Sequence, residues 1–224
     1  MILLFDLDGT VITFDGTAPG PGRTAMGRAS RALFGVDHTE GVRFAGGTDR
    51  AIARTLLERA GREITGENVD AILEAYVKEL VEVLRDRKYR AVGDVASAVA
   101  ACTARGASVG VATGNLRRGA QIKLHSAGLA EVFDLDRGGY GCDHELRAEV
   151  VRAGIRRWGG GASGGDVIVI GDTKEDVGAA RAVGARCVGV AVNAATREEL
   201  VNAGADAIVD ACGDALEDAI FTLR

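Results

Sequence analysis

Two aspartates one residue apart, Asp6 and Asp8, follow the apolar run Ile2-Leu3-Leu4-Phe5 and precede Gly9-Thr10. Side chains at i and i+2 leave an extended strand on the same side, so the two carboxylates converge on one point. Like charges held that close need a cation or a proton between them. Two further stretches carry related chemistry. Thr113-Gly114-Asn115 offers a hydroxyl and the backbone N–H groups of a helix start, a cradle for an anion such as phosphate. Alone, it reads more readily as an ordinary helix N-cap. Gly171-Asp172-Thr173-Lys174-Glu175-Asp176 places one carboxylate at a strand tip and a second four residues on, where both can face one cation. Acidic residues in a first helical turn also complement the helix dipole. Taken together these are hard oxygen donors. The cation they suit is Mg²⁺, which binds through few carboxylates, waters and a substrate phosphate.

Such groups work only if the chain brings them to one place, and the hydrophobic patterning says how. Residues 2–5, 108–113, 132–135, 166–170, 186–192 and 207–209 read as strands. Between the later ones lie helical patterns over 95–105, 116–127, 145–158, 174–183, 197–203 and 214–223. Strands alternating with helices of this length imply an α/β fold with a parallel sheet covered on both faces. Ligands of such sheets bind outside the carboxyl ends of the strands, where Asp6, Asp8, Thr113 and Asp172 all fall. Residues 15–22 hold both prolines of the chain and read as a linker or hinge. Helical patterns over 23–34, about 48–60 (with Thr48 as a candidate N-cap and Gly61 as the stop) and 68–85 follow, so residues 15–88 form a small helical unit inserted after the first strand.

At 224 residues, with 47% hydrophobic and 26% charged residues, the chain is that of a globular protein with a sizeable core. A formal net charge of −5 argues against a nucleic-acid partner. The four cysteines form no CxxC pair and the three histidines are not paired at ligand spacing, so structural zinc is not expected and the thiols read as reduced. The opening apolar run is too short for a secretory leader and is broken by Asp6, and no stretch approaches a membrane span. A cytoplasmic location and no membrane partner are the expectation; the oligomeric state is not readable.

Asp6-Leu7-Asp8-Gly9-Thr10, Thr113 and Gly171-Asp172-Thr173-Lys174-Glu175-Asp176 resemble motifs one, two and four of the haloacid dehalogenase-like (HAD) hydrolases, in order and over essentially the whole chain. The helical insertion after the first strand is similar to the C1-capped subfamily, which includes phosphoglycolate phosphatases and β-phosphoglucomutases. The resemblance implies a Rossmann-like sheet with a helical cap over residues 15–88 and a core of 1–14 and 89–224. It implies Asp6 as nucleophile, Asp8 as acid and base, and Thr113 with nearby amides holding the phosphoryl group. Mg²⁺ would be held by Asp6, the Asp8 carbonyl and Asp172, with Asp176 orienting or supplementing the set. Motif three is a Lys or Arg at a helix start; Arg147, in Asp143-His144-Glu145-Leu146-Arg147, is the match, its alternative being a surface arginine. Gly9, Thr10, Gly114 and Asn115 are expected around the substrate. In the cap, relatives carry Gly-Lys/Arg-Thr where this chain has Gly46-Gly47-Thr48; Thr48 and Arg43 are candidate substrate contacts, Thr48 alternatively a helix cap and Arg43 alternatively surface charge. A dehalogenase needs no acid for a halide and its pattern lacks the second aspartate, so Asp8 points to phosphate esters. The implied activity is Mg²⁺-dependent hydrolysis of a small phosphorylated metabolite, such as phosphoglycolate or a sugar phosphate. A phosphomutase would keep the same residues, and a binding protein without catalysis would be expected to break the motifs.

Overall fold

The computed structural model describes residues 1–159, 161 and 164–223. Its centre is β1 (Ile2–Phe5), which pairs in parallel with β4 (Ser108–Thr113) on one side and β6 (Val167–Gly171) on the other. With β5 (Gly139–Tyr140), β7 (Arg186–Val190) and β8 (Ala207–Val209) these make a six-stranded parallel sheet in the order β5-β4-β1-β6-β7-β8. The period of two in a strand divides its apolar residues between two faces. Ile2 and Leu4 join Val167 and Val169 under α6 (Arg147–Trp158), α7 (Lys174–Ala182) and α8 (Ala194–Ala203). Leu3 and Phe5 join Ile168, Ile170 and Val188 under α4 (Val95–Ala104) and α9 (Asp214–Thr222). Both faces are therefore dry, which is why the strands read as continuous apolar runs. α5 (Arg117–Ser126) follows β4 directly.

Before the sheet continues, the chain makes α1 (Pro21–Phe34), α2 (Asp49–Arg59) and α3 (Gly66–Val83), which pack on one another through residues such as Met26, Leu56, Ile72 and Leu80. Their stem is an antiparallel pair, β2 (Ile12–Phe14) with β3 (Tyr89–Ala91), that the apolar pattern does not announce. α1 begins at Pro21 rather than Arg23, because a proline at the first helical turn has no N–H to leave unsatisfied. Thr48 is the N-cap of α2, its hydroxyl accepting from the Ala51 N–H at 3.2 Å.

One expected strand is wrong. Residues 132–135 are not extended; Leu135–Arg137 is a short 3-10 turn capped by Asp134, and the edge strand lies at Gly139–Tyr140. Phe133 is buried there, 5.6 Å from the ring of Phe5, and its apolar neighbours imitate a strand. The real strand needs glycine instead: a Cβ on Gly139 would stand 1.9 Å from the Val150 carbonyl oxygen of α6. The glycine-rich stretch 159–165 lies partly outside the described residues.

Candidate active site

Asp6 is the first residue beyond β1, and its N–H donates to the Ile170 carbonyl of β6 at 2.8 Å. The strand thus fixes its backbone before any side chain acts. Its carboxylate faces Arg147, whose Nη2 lies 2.6 Å from Asp6 Oδ1. Arg147 opens α6 and also donates from Nε and Nη2 to Asp176 Oδ1, at 3.0 and 2.7 Å. Asp176 is pinned in turn by the capping box of α7: Oδ2 accepts from the Thr173 N–H at 3.1 Å and hydroxyl at 2.7 Å. Arg147 is therefore a buried structural and electrostatic link, not a surface arginine. Burial disfavours its charge, but Asp176 and Asp6 outweigh that and push its proton affinity above the usual arginine value. Burial pushes the Asp6 carboxyl up to about 6 despite Arg147.

Asp172, at the tip of β6, completes a trio with Asp6 and Asp176 whose oxygens lie within 4.8 Å of one another. Thr10 donates to Asp172 Oδ1 at 3.0 Å. Gly9, at φ +89°, lets the chain pass: a Cβ there would stand 2.1 Å from Asp172 Oδ2. Burial, then the charges of Asp6 and Asp176, hold the Asp172 carboxyl well above the usual range. Three carboxylates share one guanidinium, so the cluster carries an excess of negative charge that a divalent cation would relieve. Both oxygens of Asp176 are already occupied, so Asp6 and Asp172 are the better-placed ligands and Asp176 acts mainly by holding Arg147.

Asp8 has a different environment, through a residue the sequence reading missed. Lys123 of α5 is buried and places Nζ 2.9 and 2.7 Å from Asp8 Oδ1 and Oδ2. It also donates to Asn115 Oδ1 at 2.6 Å and lies 5.4 Å from the centroid of the Tyr89 ring. Asn115 Nδ2 donates both to Asp8 Oδ2 and to Thr113 Oγ1, at 2.7 Å each. Burial would raise the Asp8 carboxyl, but the Lys123 charge and these hydrogen bonds win and hold it below the usual range. The available signal was a lysine on the buried stripe Gly119-Ala120-Lys123-Leu124 of α5, since lysine is almost never buried unless paired.

These groups open into a cavity of about 320 Å³ between the sheet ends and the helical unit, with Arg23, Phe44 and Asp49 on the far wall. Asp6, Asp8, Gly9, Gly114, Asn115, Arg147 and Asp172 line it. Thr10 and Thr113 are fully buried just behind that wall. Three expected substrate contacts are not brought to the cavity: Thr10, whose hydroxyl goes to Asp172, and two residues of the helical unit. Thr48 is buried, spends its hydroxyl on the α2 cap and on the Glu145 carbonyl at 3.2 Å, and so serves as a cap and tie. Arg43 lies at the exposed rim, 3.3 Å from both Glu175 and Glu199. The cause is tertiary: α7 and α8 present those carboxylates beside the helical unit. Burial raises the Asp49 carboxyl to about 6. All four cysteines are free, and no helix among the described residues is long and apolar enough to cross a membrane.

Solved structures with the same fold include a predicted phosphatase from Clostridium acetobutylicum, 22% identical over 99% of this chain and 98% of that one, at a TM-score of 0.71. A hydrolase from Pseudomonas syringae is 20% identical over 96% and 95%, at 0.66. CbbY from Rhodobacter sphaeroides, in complex with phosphate, is 19% identical over 95% of each chain, at 0.66. No curated protein matches the chain. Residues 1–184 match the sequence model of the haloacid dehalogenase-like hydrolases, and this chain, an α/β protein with its paired aspartates at the tip of the central strand, belongs to that family.

Proposed function

We propose that the protein is a Mg²⁺-dependent phosphatase of small phosphate monoesters, working through an aspartyl-phosphate on Asp6, with residues 15–88 as the cap that covers the site. The observation that carries this reading is the unequal pairing of the two neighbouring aspartates: Asp6 with Arg147 and Asp8 with Lys123. The roles rest on position: Asp6 stands at the tip of β1 beside Asp172 and Arg147, while Asp8, two residues on, is held by Lys123 and Asn115 at the side where the ester oxygen leaves. Asp6 Oδ attacks phosphorus, and the ester oxygen leaves with a proton from Asp8. A bound phosphate dianion beside Asp8 adds negative charge and supplies the proton affinity that the acid step needs. Asp8, ionised again and steadied by Lys123 and Asn115, then takes a proton from the water that attacks the phosphoaspartate. Inorganic phosphate leaves, and Asp6 is free.

Asp6, Asp172 and the Asp8 carbonyl would hold Mg²⁺, which when bound neutralises charge on the transferring phosphoryl group. Arg147 keeps the Asp6 carboxylate oriented and shares its charge. The Thr113 hydroxyl, which accepts from Asn115 and keeps its own proton to donate, and the Gly114 N–H ahead of α5 are suited to the remaining phosphoryl oxygens. Because the cavity is small and roofed by helices, the substrate is a small phosphorylated metabolite rather than nucleic acid or a membrane lipid.

The test is phosphate release from a panel of small monoesters, with and without Mg²⁺ and with no bisphosphate activator, for the wild type and Asp6→Asn. Mg²⁺-dependent release by the wild type, reduced about 10⁴-fold or more in Asp6→Asn, is expected for loss of a nucleophile. Release that is unaltered by Asp6→Asn would sink the reading.

A further inference from the structure

The cavity wall formed by the helical unit is the part that must receive the alcohol half of a phosphate ester, and it is polarised. Asp49 stands there, only 8% exposed, at the first turn of α2. Its place is set by the loop that follows β4: the Asp49 N–H donates to the Gly114 carbonyl at 2.8 Å, and Oδ2 accepts from the Leu116 N–H at 2.8 Å. The segment that would cradle the phosphoryl group therefore also fixes the carboxylate. Beyond that bond from Leu116, the Asp49 carboxylate makes no hydrogen bond to another side chain and no ion pair within 4 Å among the described residues. A carboxylate has about four lone-pair sites, so most of its accepting capacity remains open to the cavity.

The cations that line the cavity are committed. Lys123 donates to Asp8 Oδ1, Asp8 Oδ2 and Asn115 Oδ1 and lies beside Tyr89. Arg23 donates to the Thr39 carbonyl at 2.7 Å and to the Val42 carbonyl, and its guanidinium lies 4.2 Å over the Phe44 ring. Phe14, Ile52 and Tyr76 supply no charge. A second anionic group on the substrate would meet Asp49 with no uncommitted cation to balance it. A hydroxyl or ammonium would meet an open acceptor.

We infer that Asp49 determines specificity: the site takes phosphate monoesters whose alcohol half carries a further hydrogen-bond donor, a hydroxyl or an ammonium, and discriminates against those carrying a carboxylate or a second phosphate. The inference rests on the phosphatase reading for its reaction and goes beyond it in the substrate class. A site built around a buried polar group rejects the partner that leaves it unmatched, while one added or lost methylene changes rates only modestly.

The experiment compares 2-hydroxyethyl phosphate, 2-aminoethyl phosphate and phosphoglycolate, which are alike in length and differ in the terminal group. For the wild type with Mg²⁺, kcat/KM for the hydroxyl and ammonium esters is expected to exceed that for phosphoglycolate by about tenfold or more. Asp49→Asn keeps an oxygen for the Leu116 N–H and removes the charge; it is expected to collapse or reverse that ratio, with the change falling mainly in KM. A wild type that prefers phosphoglycolate overturns the inference while leaving the phosphatase reading standing. So does an Asp49→Asn enzyme that loses activity equally on all three esters, which is the signature of a structural role only. A wild type that releases phosphate from none of the three or from any other monoester overturns the phosphatase reading and this inference with it.

Discussion

Replacing Arg147 by methionine removes the one cation from a cluster of three carboxylates. The guanidinium, 8% exposed, contacts Asp6 (9%) at 2.6 Å and Asp176 (1%) at 2.7 Å. Breaking a buried ion pair by deleting one partner costs about 3–5 kcal/mol, because the other charge is left buried and uncompensated. The protein's escape is protonation within the cluster, where Asp6 abuts the guanidinium and its carboxyl is already raised. The Asp6 carboxyl sits at about 6 with Arg147 present and moves higher without it. At ~1.4 kcal/mol per pH unit, protonating a group with that value costs about 3 kcal/mol at pH 8 and almost nothing at pH 5. The sign follows from linkage. A carboxyl raised in the folded state above its unfolded 3.8 supports folding fully below 3.8 and loses that contribution as pH rises through the folded value. The higher folded value in Arg147→Met extends that loss to higher pH. The difference between wild type and variant should therefore grow from about 1 kcal/mol at pH 5 to about 3 kcal/mol at pH 8. Urea unfolding followed by circular dichroism, with a chelator present at both pH values, measures it. A difference under about 1 kcal/mol at pH 8, or one that does not change with pH, would refute the reasoning. Adding Mg²⁺ should recover part of the loss, by about 2.7 kcal/mol at a hundred times its Kd.

Lys123→Met should cost less, about 2 kcal/mol, because the Asp8 side chain it abandons is 42% exposed and can be hydrated from the cavity. Since the Asp8 carboxyl is held below 3.8 in the folded protein, that stabilisation is present above 3.8 and fades as pH falls through the folded value; urea midpoints of wild type and variant should converge in acid and stay apart at pH 7. Gly114→Ala would put a Cβ 2.0 Å from the Gly47 carbonyl oxygen, backbone against backbone, so the helical unit must shift off the sheet. A loss of about 1–3 kcal/mol with faster proteolytic cleavage inside residues 15–88 is expected, and unchanged cleavage would count against that contact. Of the four thiols, only Cys142 is exposed, while burial raises Cys102 to about 11 and Cys212 to about 12 and also raises Cys187. Ellman's reagent should therefore titrate one thiol rapidly in the native protein and four after denaturation; two or more fast thiols would contradict the burial.

By itself the sequence determined the parallel sheet, because both faces of β1, β4 and β6 are dry and such strands appear as apolar runs that no other role explains. It also placed Asp6, Asp8, Thr113 and Asp172 at strand ends, where period and punctuation are local properties of the chain. It missed β2 and β3, which are three residues each and owe their existence to each other, and it misread 132–135, where Phe133 is buried without being extended. The tertiary structure alone decided the partners. Lys123 is 115 residues from Asp8 and Arg147 is 29 from Asp176; nothing in a local pattern says which charge meets which. The same holds for the residues that fell away. Arg43 and Thr48 have the chemistry of substrate contacts, but carboxylates from α7 and α8 claim the first, and the α2 N-terminus with the Glu145 carbonyl claims the second. Residue type and spacing set what each side chain can do. Packing of distant elements sets what it has left to do it with, because each buried donor or charge must first be satisfied where it lies.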